Sequence, residues 1–214
     1  MILLVMAKAP LPGRVKTRLC PPCDPEQAAH VARAALADTL DAVAGCRADR
    51  RVVALDGDVG DWLPSGFEVV AQQGLTFADR LAAAWSQMDG PCLQIGMDTP
   101  QVTPDHLDGA IETLVARGWS GRHAVLGPAL DGGWWALGMA EPDPAVFAGV
   151  PMSTPRTGAV QLECLRRRGW SVTLLAELRD IDTAEDLAAV AAAGAGWRTV
   201  AAAADLAKLG AGTG

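Results

Sequence analysis

The 214-residue sequence contains no tyrosine, and its aromatic residues are three phenylalanines and seven tryptophans. Without tyrosine there is no phenolic hydroxyl to contact a substrate. Histidine is almost as scarce: His30, His106 and His123 are scattered along the chain. They form no Ser/His/Asp or Cys/His arrangement for nucleophilic catalysis. Long apolar runs are missing too, and none reaches the roughly 18–20 residues that a bilayer-crossing helix needs. The apolar start, Met1 to Ala7, is short, has no cationic region before it and is followed by Lys8. It reads as a buried strand rather than a signal peptide. Basic residues are in the minority, 18 Lys and Arg against 25 Asp and Glu, for a net charge of -7. That field is unsuited to tracking a nucleic-acid backbone, so a polyanion would have to be met by a local cationic cluster. Five cysteines, an odd number with no export signal beside them, lead to the expectation of a reduced, cytoplasmic protein. Neither the Gly-Lys-Ser/Thr of a P-loop nor the Gly-rich dinucleotide fingerprint occurs.

What the chain does have is an ordinary globular balance, 50% hydrophobic and 20% charged. No repeat or linker divides it. Residues 1–194 read as one domain, and the Ala/Gly-rich residues 195–214 as a last helix, or partner contact, ending in a loose tail from Leu209. Apolar runs at 2–6, 51–55, 67–70, 91–96, 123–127, 134–138 and 171–175 predict strands. Between them, helical spacing predicts helices from Asp24 to Gly45, Thr76 to Met88 and Thr103 to Gly118, then near 156–168, 183–193 and 198–208. Asp24 with Gln27, Thr76 with Asp79 and Thr183 with Asp186 stand in capping-box register. Such alternation implies a three-layer α/β/α sandwich around a mostly parallel, mixed sheet. Ligands of such sheets bind at the C-terminal ends of the strands.

Four features fall at those ends. The loop after the first strand, Lys8 to Leu19, packs Lys8, Arg14, Lys16 and Arg18 into an acidic protein, with Gly13 permitting close backbone approach. It suits a phosphate site, or else a solvated loop whose cations meet surplus carboxylates. In Gly96-Met97-Asp98-Thr99-Pro100, a carboxylate stands where a buried strand runs into a turn. Asp98 there could hold a divalent metal bridging phosphate oxygens, or cap its own turn. Asp131-Gly132-Gly133 precedes Trp134 and Trp135. The glycines allow a substrate to pass close to backbone, and they also suit a plain hairpin. The tryptophans read as core, with one able to lie against a base or sugar. In Asp180-Ile181-Asp182-Thr183, Asp182 could supply a second metal ligand opposite Asp98. Asp180 and Asp182 point to opposite sides of an extended segment, so both are not expected at one ion. Cys20-Pro21-Pro22-Cys23 has the spacing of a redox or zinc pair but lacks a second pair and the strand-to-helix context.

In this order, Lys8 to Leu19, Gly96 to Pro100, Gly127 to Trp135 and Asp180 to Leu187 resemble the motifs of bacterial glycosyltransferase-like transferases. These belong to the GT-A, or nucleotide-diphospho-sugar transferase, superfamily. It is related to molybdenum-cofactor nucleotidyltransferases and phospholactate guanylyltransferases, whose Lys-Ser-Arg-Leu segment is similar to Lys16-Thr17-Arg18-Leu19. The resemblance covers roughly residues 1–190. It implies a GT-A fold, Mg²⁺ or Mn²⁺ on Asp98, phosphates facing Lys8, Arg14, Lys16 and Arg18, and a nucleoside near Gln73 and Gly74. The chain departs from the family at Thr76, Phe77 and Ala78, where an acidic residue and a Leu-Gly pair are usual, and at Trp134 and Trp135, where tyrosines are usual.

The resulting expectation is a metal-dependent transferase moving a glycosyl group from a nucleotide sugar to a small-molecule acceptor. Asp98 and Asp182 would be metal ligands, and Asp131 or Asp182 the base or a supporting group. Gly132, Gly133 and Trp134 would lie at the substrate. The alternatives are nucleotidyl transfer from a nucleoside triphosphate to a phosphorylated metabolite, and a nucleotide-binding module without catalysis. No nucleic-acid or membrane partner is expected, and the sequence leaves the oligomeric state open.

Overall fold

A computed structural model describes residues 1–116 and 121–211. The strands are β1 (Ile2–Lys8), β2 (Arg50–Asp56), β3 (Glu68–Ala71), β4 (Cys92–Ile95), β5 (His123–Pro128), β6 (Trp134–Met139) and β7 (Ser171–Leu174). The helices are α1 (Pro25–Gly45), α2 (Phe77–Trp85), α3 (Pro104–Ala116), α4 (Thr157–Arg167), α5 (Ala184–Ala192) and α6 (Trp197–Ala211). Short 3-10 turns at Thr17–Leu19 and Pro144–Phe147 are additions that the sequence pattern did not disclose. The predicted helix stop at Gly118 and the tail residues 212–214 lie outside the described residues.

The strands form one sheet in the order β3-β2-β1-β4-β6-β5-β7. Among the described strands β6 alone runs antiparallel, pairing β4 on one side and β5 on the other. Side-chain alternation on the pleat divides the core in two. Leu3, Val5 and Ala7 of β1 meet Leu36 and Leu40 of α1 and Leu107 and Leu114 of α3. Ile2, Leu4 and Met6 face the other way, toward Leu81 and Trp85 of α2 and Leu165 of α4. Helices therefore cover both faces, which is why β1 reads as an unbroken apolar run. A third cluster, with Leu187 and Val190 of α5 and Ala202 of α6, packs α1 from outside. The three-layer α/β/α sandwich with a mostly parallel sheet is as expected.

All three capping boxes form. Asp24 Oδ1 accepts from the Gln27 N–H at 2.8 Å while Gln27 Oε1 accepts from the Asp24 N–H at 2.9 Å. Thr76 with Asp79 and Thr183 with Asp186 repeat the arrangement at α2 and α5. These boxes satisfy donors that a helix start leaves unpaired. Helix α2 stops at Trp85, three residues short of expectation, and the indole of Trp85 donates to the buried Gln94 Oε1 at 2.6 Å. No single helix among the described residues is long and apolar enough to cross a membrane.

A buried carboxylate anchors the start of the last helix. Asp38 of α1 accepts from the Thr199 N–H at 2.9 Å and the Thr199 hydroxyl at 2.7 Å, and from the Arg198 N–H at 3.2 Å. Asp38→Ala strands the buried Thr199 donors, at a cost of about 1–3 kcal/mol. The expected result is a lower urea midpoint with an unchanged denaturant slope, and earlier proteolysis within α6. An unchanged midpoint would contradict the assignment.

Candidate active site

At the C-terminal edge of the sheet a cavity of about 740 Å³ opens. Its wall is built where strands hand over to loops. β1 contributes Lys8, β2 contributes Asp56, and the turn after β4 contributes Gly96, Met97 and Asp98. The β5–β6 hairpin contributes Asp131, Gly133 and Trp134, and the segment before α5 contributes Asp180 and Asp182. A smaller cavity of about 240 Å³ adjoins it, lined by Lys8, Arg14, Lys16 and Arg18 of the basic loop together with Asp98 and Asp182.

The centre of this region is an ion cluster. Lys16 Nζ donates to Asp98 Oδ2 at 2.5 Å and to Asp182 Oδ1 at 3.0 Å, and Arg18 Nη1 donates to Asp182 Oδ2 at 3.1 Å. The Lys16 side chain is only 8% exposed. Burial by itself would lower its pKa, but the two carboxylates outweigh burial and hold the pKa above its ordinary value, so the ammonium stays charged. Lys16 also has φ 47° and ψ 37°, a left-handed backbone. That conformation costs a residue with a Cβ roughly 1–2 kcal/mol. Its persistence in a loop with a glycine three residues earlier indicates that the ion pairs hold it there.

Distant segments are tied together to place these groups. The Ile181 N–H donates to the Asp98 carbonyl at 3.0 Å. The Gln101 side chain forms a two-way bridge to the Arg179 backbone, accepting from its N–H at 3.0 Å and donating to its carbonyl at 3.3 Å. Asp182 is further held through its N–H to Asp186 Oδ2 at 3.3 Å, an extension of the α5 cap.

Residues 179–182 belong to no helix or strand, and Asp180 and Asp182 both line the cavity. Asp180 accepts from Thr99 Oγ1 at 2.5 Å. Burial first, then the nearby Asp98 and Asp131 carboxylates, push its pKa up to about 8, against the Thr99 hydrogen bond and Lys16. Burial and the neighbouring carboxylates thus favour its protonated form.

The remaining sequence candidates are distributed unevenly. Lys8 lies 3.7 Å from Asp56 Oδ2, which Arg80 Nη1 also meets at 3.0 Å. Arg14 faces the smaller cavity, and Gly13, with φ 72°, lies in the turn beside it. Asp131 is exposed, its Oδ1 accepting from the Gly133 N–H at 2.7 Å. Gly132 has φ 87°, and a Cβ there would collide with the Pro155 carbonyl, so the hairpin tip admits only glycine. Trp134 stacks on Phe147 with 6.4 Å between ring centroids, and its indole N–H is buried without a partner among the described residues. Trp135 is core, its indole donating to the Ala176 carbonyl at 2.9 Å. Gln73 is exposed, and neither it nor Gly74 lines the cavity. Gln72 lines it instead, its amide donating to the Ala7 and Ala54 carbonyls at 2.9 Å each. Gln72, Asp56 and Arg80 were missed by sequence reasoning, although Asp56 stands where the strand-end rule says to look. All five cysteines are free thiols, and the Cys23 thiol pKa is raised by burial, by Cys20 and by Asp24, the opposite of an activated thiolate.

Asp98 and Asp182 offer hard oxygen donors of the kind Mg²⁺ and Mn²⁺ take. Among the described residues, no three of His, Cys, Asp and Glu are already gathered as a ligand set. Magnesium is commonly held by one or two carboxylates plus substrate phosphates, so this pair fits an ion that arrives with a phosphorylated ligand.

The sheet order, the single reversed strand and the carboxylates at its C-terminal edge define a fold of the nucleotide-diphospho-sugar transferase and nucleotidyltransferase type. The chain belongs to the family described as "Uncharacterized protein conserved in bacteria (DUF2064)", which matches residues 28–154. That span includes Asp98 and the β5–β6 hairpin but neither the basic loop nor Asp180 and Asp182. A solved structure from Desulfovibrio desulfuricans G20, provisionally described as a nucleotide-diphospho-sugar transferase, is 27% identical over 87% of this chain and 84% of its own, with a TM-score of 0.75. A nucleotidyl transferase from Methanothermobacter is 17% identical, covering 89% of this chain and 95% of its own, with a TM-score of 0.59. Rv0371c from Mycobacterium tuberculosis H37Rv, in complex with manganese, is 17% identical, covering 88% and 97%, with a TM-score of 0.53. The last two show likeness of fold. No curated protein matches the chain.

Asp180 gives a pH test. Unfolded, it ionises near about pH 3.9; folded, near 8. Between those values the unfolded chain binds fewer protons than the native one, so this group lowers stability progressively as pH rises from about 4 to about 8. Asp180→Asn is expected to flatten that slope and to be the more stable protein at about pH 8 without divalent ions. Urea midpoints at about pH 5 and pH 8 measure it. Equal slopes for the two proteins would count against the assignment.

Proposed function

We propose that this protein is a divalent-metal-dependent transferase that moves a glycosyl group from a nucleotide-diphospho-sugar to an uncharged small acceptor. The observation that carries the reading is the charge of the cavity wall. Among the described residues it has five aspartates besides the proton-favouring Asp180, against three cations, Lys8, Arg18 and Arg80, with Lys16 reaching Asp98 and Asp182 from the adjoining cavity. A wall of that sign repels phosphate unless a cation joins it, and a diphosphate brings less charge to offset than a triphosphate.

A second cavity, of about 830 Å³, supports the choice of acceptor. It shares Phe77, Met152 and Ser153 with the first. Among its described lining residues the one ionisable group is Asp79, which is committed to the N-terminal cap of α2. A phosphorylated acceptor would find no cation there, whereas a neutral one loses nothing.

In this reading Asp98 and Asp182 hold the metal. A bound Mg²⁺ or Mn²⁺ supplies charge neutralisation to the diphosphate and to the departing nucleoside diphosphate. Lys8, Arg14, Lys16 and Arg18 add donors on the phosphate side. Trp134 forms one wall for the sugar or base. The acceptor hydroxyl oxygen bonds to the anomeric carbon, and the bond from that carbon to the diphosphate oxygen breaks with its electron pair. Asp131, exposed at the hairpin, takes the hydroxyl proton. Asp180, whose pKa is raised by burial and by neighbouring carboxylates, is placed to hold a proton rather than to act as the base.

Nucleotidyl transfer has one observation in its favour. The basic lining of the smaller cavity, beside Asp98 and Asp182, offers room for a further phosphate. A thermal-shift screen with Mn²⁺ separates the readings, since a ligand of the native state raises the melting temperature. The expected result is a metal-dependent shift with one of the UDP-, GDP-, ADP- or dTDP-sugars, lost in Asp98→Ala. Release of nucleoside diphosphate from that donor is expected to fall about 100-fold or more in the variant. A shift confined to one nucleoside triphosphate, with pyrophosphate release, would move the assignment to nucleotidyl transfer. Nucleotide binding untouched by Asp98→Ala, without turnover, would leave a non-catalytic module.

A further inference from the structure

Resting on the metal-dependent reading above, we infer that Lys16 is a built-in counter-ion that keeps divalent metal out of the Asp98–Asp182 pair until a phosphorylated donor draws it away. The ammonium stands between the two carboxylates that would hold the metal, 2.5 Å from one and 3.0 Å from the other. It and a dication cannot share that position: both need the same oxygens, and like charges a few ångströms apart in a part-buried site repel strongly. The Lys16 side chain is 8% exposed, whereas Asp98 and Asp182 are 26% and 35% exposed. Metal can therefore approach the carboxylates from solvent, but only after the ammonium has moved.

The place for it to move to is adjacent. Lys16 lines the smaller cavity with Lys8, Arg14 and Arg18, and Asp98 and Asp182 line the same cavity. A diphosphate held by these cations gives the Lys16 ammonium a second anionic partner across the same space. Turning toward it frees Asp98 of its cation and leaves Asp182 with Arg18 alone, an exposed side chain that lines the same cavity and can turn to the same phosphate. The metal is then expected to bind in company with the donor and poorly before it. The coupling is reciprocal, so metal must also favour the donor.

The inference differs from a plain phosphate-binding role in one measurable respect: removing the lysine should improve metal binding. If the carboxylates are free of Lys16 in about one molecule in ten or fewer, the apparent metal affinity is reduced about tenfold or more. The test is titration with Mn²⁺, reading free Mn²⁺ by electron paramagnetic resonance. It is done first with no nucleotide, then with UDP, GDP, ADP and dTDP, correcting for Mn²⁺ bound by each nucleotide in solution. Lys16→Gln is expected to bind Mn²⁺ alone about tenfold or more tightly than the unsubstituted protein. The double variant Lys16→Gln/Asp98→Asn is expected to lose that gain. Lys16→Arg, which keeps the cation, is expected to exclude Mn²⁺ as the unsubstituted protein does, and guards against a folding defect in the neutral variant. If the unsubstituted protein binds Mn²⁺ alone as tightly as Lys16→Gln, the counter-ion role is overturned while the metal-dependent transferase stands. If Mn²⁺ binds none of these proteins, with or without a nucleoside diphosphate, the metal site fails and the inference falls with it.

Discussion

A single ammonium group, that of Lys16, connects stretches of chain separated in sequence by 82 and 166 residues. The basic loop leaves β1, Asp98 ends the turn after β4, and Asp182 precedes α5. Without these contacts Asp98 would present a lone charge at the mouth of a cavity, and Asp182 would keep Arg18 alone. Brought together they neutralise one another in part, which lets an acidic protein gather six aspartates around one opening without repelling itself apart. The same ion pairs accompany the left-handed backbone of Lys16, a residue with a side chain.

The sheet sets the frame within which that contact is possible. With helices on both faces of β1, the chain can carry polar function only at the strand ends. The β5–β6 hairpin returns antiparallel beside β4, and this reversal delivers Asp131, Gly133 and Trp134 to the edge where β1 and β4 end. Gly132 and Gly158 make the return feasible: the Gly158 N–H donates to the Gly132 carbonyl at 2.8 Å, and a side chain at either glycine would collide with backbone. A motif that looks like an ordinary tight turn is thus also the contact between the hairpin and the start of α4.

The cavity has two chemically different ends. One is charged, with the basic loop and the aspartates. The other, past Phe77, Met152 and Ser153, is mostly uncharged. Trp134 and Phe147 stack between them, one lining each cavity. Ser153, with φ 57°, turns the chain where the two meet. The proposed transfer from a phosphorylated donor to a neutral acceptor rests on this division.

Much of this was legible from the residues alone. Strand and helix positions followed from periodicity, since a buried strand and an amphipathic helix each leave a repeat in the sequence. Helix starts followed from capping pairs three residues apart, which are local by nature. Asp98, Asp131 and Asp182 could be singled out because strand ends in an α/β sheet are where loops gather. What the sequence could not convey was which of these charges meet. Hydrogen bonds from Ile181 to the Asp98 carbonyl and between Arg179 and Gln101 dock the segment on the Asp98 turn, and Asp180 and Asp182 both line one cavity. Gln72 rather than Gln73 reaches that cavity because its amide spans the carbonyls of β1 and β2, a pairing of two strands that no local pattern encodes. Residue types and elements were determined by short-range physics that the sequence carries. The partners of Lys16 and the raised pKa of Asp180 were decided by long-range packing, because a charge's behaviour depends on what burial and neighbours surround it after folding.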